Sequence, residues 1–296
     1  MSHKTGEVNL RQEDIGLWLP VDRVPFHMQE KIKEALRFLE FQNGYKILFA
    51  YESGSRAWGF HSPDSDYDVR FVYIRPKKDY ISVAERRDVC ESFKGHAKGT
   101  KFEDDLLDIV GWDFRKALGL MRKSNPQLLE WLHGPLPYYI RDPAFNEYLK
   151  TVAEHVTNMW PIYMHYRGMA VGNFREYLQG DTVRYKKYLY VIRPLLAAQY
   201  VAETMKIPPV EFDTLWSNTA GIHSDEFSAS VERLLAHKKR SQETDTMPKD
   251  PVLNKWIEDQ LANPRTEFPI QPKLNSSDTT LLLDHAFHAA LEHWGN

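Results

Sequence analysis

Cysteine is nearly absent. The 296 residues include one, Cys90, so no intramolecular disulfide can form and a cysteine-based zinc site is excluded. That fits a reducing compartment, and a cytoplasmic location is expected. Long apolar runs are missing as well. No stretch approaches the ~18 apolar residues of a membrane span. The opening MSHKTGEVNLRQEDIGLW is too polar for a secretory leader, so no membrane partner is expected. Excess positive charge is also lacking. A net charge of −3 rules out a basic coat, so any nucleotide or nucleic acid must be met by a local patch.

What is present is ordinary in bulk. Hydrophobic residues make up 42% and charged residues 27%, which places the chain among soluble globular proteins. Its length allows one large domain or two ordinary ones. No internal repeat is visible.

The first half alternates helix and strand signals. Residues 25–42 carry a helical stripe of Met28, Ile32, Ala35, Leu36 and Leu39, closed by Asn43-Gly44. The apolar run 45–51 predicts a buried strand, SRAWGF a short helical turn, 66–74 a second strand and 106–112 a third. Asp113 is placed to cap a helix from Phe114, and Pro126 starts another. From about 142 onward the periodicity is helical: 142–157, 160–179, 182–204, 225–239 and a last helix near 278–294, opened by Ser277 or Asp278. The stretch QETDTMPKDPVLNKW reads as polar and contains proline. The expectation is an α+β fold over 1–140 followed by an all-helical region over 141–296.

The chemistry is concentrated in YESGSRAWGFHSPDSDYDVRFVYI, residues 51–74. On a strand, residues two apart face the same side, so Asp66 and Asp68 project together. Parallel carboxylates repel unless a cation lies between them. Mg²⁺ accepts one or two carboxylates together with phosphate oxygens. An Asp-x-Asp alone is more often an inert polar strand start. Upstream, Gly54-Ser55 follows a strand and opens a helical turn, where backbone N–H groups and a hydroxyl can hold a triphosphate. Two-metal chemistry also needs a third acid. The candidates are Glu103, Asp104, Asp105, Asp108 and Asp113. The first three read as a solvated turn and Asp113 as a cap. Asp108 alone interrupts an apolar strand, where a charge needs a partner, so Asp108 is selected.

The segments GSRAWGF…SPDSDYDVRF, LDIVGWDFRKAL, KSNPQLLEWL and YRGMAVGNFREYL…KKYLYVIRPLLAAQYV together resemble the DNA polymerase β-like nucleotidyltransferase superfamily. Within it they resemble the RNA-repair-pathway, RNA-ligase-associated family. The resemblance covers about residues 45–205 and departs at Val110, where several relatives carry a polar residue. It implies a polymerase-β-like palm, a mixed sheet with helices, followed by helices. It implies that Gly54 and Ser55 face the nucleotide phosphates and that Asp66, Asp68 and Asp108 are catalytic and hold two Mg²⁺, with Mn²⁺ as a substitute. Arg56 and Arg70 are further nucleotide-binding candidates by position. Arg70 shares a face with the acids and is equally suited to neutralising them. Lys187, on the basic-aromatic helix RYKKYLYVIRP, is weighed against a plain amphipathic helix and kept as a candidate.

The expected activity is transfer of a nucleoside monophosphate from an NTP to a hydroxyl. The resemblance points to an RNA 3′ end, tRNA included, as acceptor and to a repair ligase as partner. The alternatives are a protein or small-molecule acceptor, and a non-catalytic Mg-NTP-binding module.

Overall fold

A computed structural model describes residues 16–92, 106–238, 245–269 and 274–296. The first strand, β1 (Leu17–Trp18), is followed by α1 (Phe26–Asn43). The predicted stripe of α1 is its buried face, and Gly44 ends the helix at φ +64°, a left-handed conformation that glycine adopts without penalty. Next come β2 (Lys46–Glu52), α2 (Gly54–Trp58), β3 (Tyr67–Ile74), α3 (Lys77–Tyr80), β4 (Val89–Ser92) and β5 (Leu107–Asp113). Asp113 accepts the Arg115 N–H at 2.9 Å and so caps α4 (Phe114–Arg122). α5 (Pro126–Leu132) and β6 (Pro137–Ile140) complete this half.

The six strands form one sheet in the order β1-β6-β2-β3-β5-β4. β3 and β5 run parallel, and the other pairs are antiparallel. The sheet is therefore mixed. Alternation along the strands divides its side chains between two cores. Ile47, Ala50, Tyr67, Val69, Phe71, Tyr73, Leu107 and Ile109 pack under α1. Leu48, Phe49, Tyr51, Val72 and Ile74 face the opposite way, toward α4, α5 and the helices of the second half.

Those helices are α6 (Pro143–Val156), α7 (Met159–Tyr177), α8 (Tyr185–Thr204), α9 (Phe212–Asn218), α10 (Asp225–Lys238), α11 (Pro251–Ala262) and α12 (Ser276–Trp294). The polar, proline-containing stretch QETDTMPKDPVLNKW holds the start of α11. Asp250 accepts the Val252 and Leu253 N–H groups at its start. A short antiparallel ladder, β7 (Thr182–Arg184) with β8 (Thr246–Pro248), ties the base of α8 to the segment before α11. The cap of α12 is Asn275, not Ser277 or Asp278: its side chain accepts the Asp278 N–H at 2.8 Å. The larger core runs continuously from Leu48 and Val72 through Leu149, Tyr188 and Leu253 to Ala290. It crosses the position at 140–141 where the sequence changes texture.

Candidate active site

The site is built where β2 ends and where β3 and β5 begin. In the parallel pair β3–β5, Asp68 lies in register with Asp108. Residues in register on neighbouring strands point to the same face, so the two carboxylates converge. Arg70, two residues along β3, shares that face. Its Nη2 donates to Asp68 Oδ1 and to Asp108 Oδ2, each at 2.8 Å. Its Nη1 donates to the Asp108 carbonyl at 3.0 Å and the Val69 carbonyl at 3.1 Å. One guanidinium thus bridges two acids. Burial raises the Asp68 pKa from its ordinary value; Arg70 opposes that rise, and the neighbouring charges of Asp108 and Asp66 add to it.

Gly54 sits directly against this pair. Its φ is +60°, and a Cβ built there would lie 2.1 Å from Asp68 Oδ2. Only glycine combines that backbone with that approach. Ser53 N–H donates to the Asp68 carbonyl at 2.8 Å, which fixes the Gly-Ser turn beside the acid. Ser55 is buried on α2, and its carbonyl accepts from Gly59 and Phe60.

The remaining candidates are placed differently. Asp66 is exposed and precedes the first hydrogen-bonded residue of β3, so strand alternation does not dictate where its side chain points. Among the described residues, no group of three or more His, Cys, Asp or Glu side chains is gathered to hold an ion. Asp68 and Asp108 come together without Asp66 as a third member of such a group. Arg56 is buried and turned inward. It donates to the Arg23, Ser65 and Asp66 carbonyls at 3.1, 2.8 and 3.2 Å and stacks on Tyr67 at 3.9 Å. It shapes the turn that leads into Asp66. Lys187, in the first turn of α8, lies over the Tyr177 ring at 3.5 Å and near Tyr190. Tyr190 in turn meets Trp58 of α2 edge to face at 5.5 Å. Val110 stands in register with Arg70. Glu103, Asp104 and Asp105 lie outside the described residues.

Two carboxylates were missed by the sequence reading. Glu52, 1% exposed, accepts the Asp68 N–H at 3.0 Å and the Tyr138 hydroxyl. Burial pushes its pKa up to about 7 against those two hydrogen bonds. Like Asp108, it is a charge in an apolar strand, and that signal could have found it. Glu130 of α5 takes Trp58 Nε1 at 3.2 Å, Tyr166 Oη at 2.7 Å and Arg193 Nη1 at 3.0 Å. Arg193 also covers the Trp58 ring at 4.5 Å. The helical half therefore clasps the far end of α2. This arrangement is visible only in three dimensions.

A divalent cation fits this corner in two respects. The guanidinium already occupies a position between the acids as a stand-in cation, and Gly54 lets the Gly-Ser turn lie against Asp68, where a Cβ would meet Oδ2 at 2.1 Å. Two carboxylates with phosphate oxygens suffice for one Mg²⁺.

Three comparisons with known proteins bear on the family of the chain. The chain is 41% identical over 234 residues, 79% of its length, to the uncharacterized protein YcgL of Bacillus subtilis (strain 168), of which it covers 85%. It is also similar to the crystal structure of a nucleotidyltransferase-like protein from Exiguobacterium sibiricum 255-15, at 13% identity and a TM-score of 0.28, covering 89% of this chain and 75% of that one; so slight a likeness carries no argument. A family model matches residues 28–288, from α1 to α12 and across the whole acid corner. On that match the chain belongs to the RNA repair pathway DNA polymerase beta family.

Proposed function

We propose that this chain transfers a nucleoside monophosphate from an NTP to a hydroxyl at an RNA 3′ end. One observation carries the reading: Asp68 and Asp108, held in register on parallel strands, converge beside the glycine of a Gly-Ser turn. The family, defined by an RNA repair pathway, supports RNA as the acceptor class.

The chain's own residues supply binding and orientation. Gly54 lets the backbone approach the triphosphate closely, and Ser55 offers a hydroxyl beside it. Asp68 and Asp108 would hold Mg²⁺, and Asp66, just before β3, would have to turn toward them to join. A bound divalent ion supplies charge neutralisation at the departing pyrophosphate and a lowered pKa at the acceptor hydroxyl. Asp108 would accept the proton of the acceptor hydroxyl. Glu52 fixes the Asp68 peptide from beneath.

The test is incubation with α-labelled NTPs, Mg²⁺ and either RNA carrying a free 3′ hydroxyl or total cell protein. Label entering RNA, and lost when the 3′ end is blocked, is expected. Label entering protein instead would move the acceptor to a side chain. Nucleotide binding without transfer to either would reduce the chain to a sensor.

A further inference from the structure

Arg70 holds the position that a divalent cation needs. Its Nη2 lies 2.8 Å from one oxygen of each acid. A cation ligated by those same two oxygens would meet a positive charge at contact distance, and like charges so close exclude each other. The oxygen left over on Asp68, Oδ2, is directed at Gly54. The three side chains of this bridge are 14%, 26% and 27% exposed, so water can replace a departing partner. A fully enclosed bridge would not have that freedom. The two Nη1 contacts are to backbone carbonyls, which leave the carboxylates themselves uncommitted.

From this geometry, and resting on the nucleotidyltransferase reading above, we propose that Arg70 is a displaceable internal counter-cation. It neutralises Asp68 and Asp108 while the corner is empty and gives up their oxygens to the divalent ion. The nucleotide-free protein therefore binds metal weakly, because each ion must first displace a guanidinium. Removing the positive charge strengthens metal binding. If Arg70 only positioned the two carboxylates, removing it would weaken metal binding, so the two roles predict opposite signs.

The experiment is a Mn²⁺ titration without nucleotide, read by electron paramagnetic resonance of free Mn²⁺, on the wild type, Arg70→Gln, Arg70→Lys and Asp68→Asn. Arg70→Gln should bind Mn²⁺ at least ~10-fold more tightly than wild type, Arg70→Lys should stay within a few-fold of it, and Asp68→Asn should lose the site. Unchanged or weaker binding by Arg70→Gln, with binding intact in the wild type, overturns the proposal and leaves the nucleotidyltransferase reading standing. No saturable Mn²⁺ binding by the wild type or by Arg70→Gln also overturns the proposal, while the nucleotidyltransferase reading, in which phosphate oxygens complete the metal shell, is decided by the label-transfer assay. A second measurement needs only Arg70→Lys, for assignment, beside the wild type. On titration with Mg²⁺, the Arg70 Nε–H resonance of the wild type should shift, and its guanidinium protons should exchange faster. A resonance unmoved at saturating Mg²⁺ overturns the proposal even if Arg70→Gln fails to fold.

Discussion

A methyl group at position 54 would collide with Asp68 Oδ2 and would also have to accept φ +60°. The left-handed backbone alone costs a non-glycine residue about 1–2 kcal/mol. Gly54→Ala should therefore lower stability by at least that amount, measured by urea unfolding. It should also displace the acid and remove nucleotide transfer. Retained activity would separate the turn from the chemistry. His133 gives a pH signature. Burial lowers its pKa below the ordinary 6.5; its Nδ1 faces the Leu129 carbonyl at 3.0 Å, and its buried Nε2 has no hydrogen-bond partner. The folded ring therefore resists protonation, while the unfolded chain takes up a proton from about pH 6.5 downward. Its contribution to stability is full above that pH and is lost as the pH falls through the folded value. His133→Leu should flatten the acid limb of a stability-against-pH curve below about pH 6.5. At this scale the sequence was partly legible. Gly54, Asp68 and Asp108 could be selected because a glycine before a turn and a charge in an apolar strand each demand an explanation. Asp66 could not be placed, because alternation applies only inside the ladder, and the ladder begins at Tyr67. The inward turn of Arg56 depends on the Arg23 and Ser65 carbonyls, which no local pattern reveals.

The elements form where their signals are strongest. α1 shows a clean helical stripe, and β2, β3 and β5 are apolar runs bounded by breakers. β6 was not foreseen. It is four residues long and begins at a proline, and it is recruited by β2 on one side and β1 on the other. α11 was overlooked although Asp250-Pro251 is a helix-start pair, with a cap and a proline in the first turn. Between elements, Glu130 forms a three-way polar joint. It links α5 to α2, α7 and α8 through Trp58, Tyr166 and Arg193. The Arg193 side chain is 2% exposed and that of Glu130 14%. Glu130→Ala leaves a buried guanidinium without its carboxylate and should cost ~3–5 kcal/mol. The pair Glu130→Leu with Arg193→Met should recover much of that loss. Equal destabilisation by the single and the double variant, read from denaturant midpoints, would mean that the ion pair is not what joins these helices.

At the scale of the whole molecule, the change of texture near residue 140 is not a break in packing. α12 returns to the first half: Phe287 meets Tyr80 at 5.0 Å and Phe114 at 6.2 Å, and the Gly295 carbonyl accepts the Lys77 N–H at 2.7 Å. A core shared in this way should unfold in one step. Tryptophan fluorescence and far-ultraviolet circular dichroism should give coincident urea transitions, and removal of residues 276–296 should lower the midpoint of both together. Two separated transitions would show that the halves are independent. No helix among the described residues is long and apolar enough to cross a membrane. The central strands β2, β3 and β5 were legible because each could be recognised singly. The shared core was not, because it depends on the last helix finding the first sheet across more than a hundred residues.

The central claim is that the two register-matched aspartates are the reacting centre. The most direct measurement is the rate of label transfer from an α-labelled NTP with Mg²⁺ in the wild type, Asp68→Asn and Asp108→Asn. These swaps keep shape and remove charge. Each variant should remain folded and lose transfer by ~100-fold or more. Transfer at the wild-type rate by either folded variant would contradict the claim.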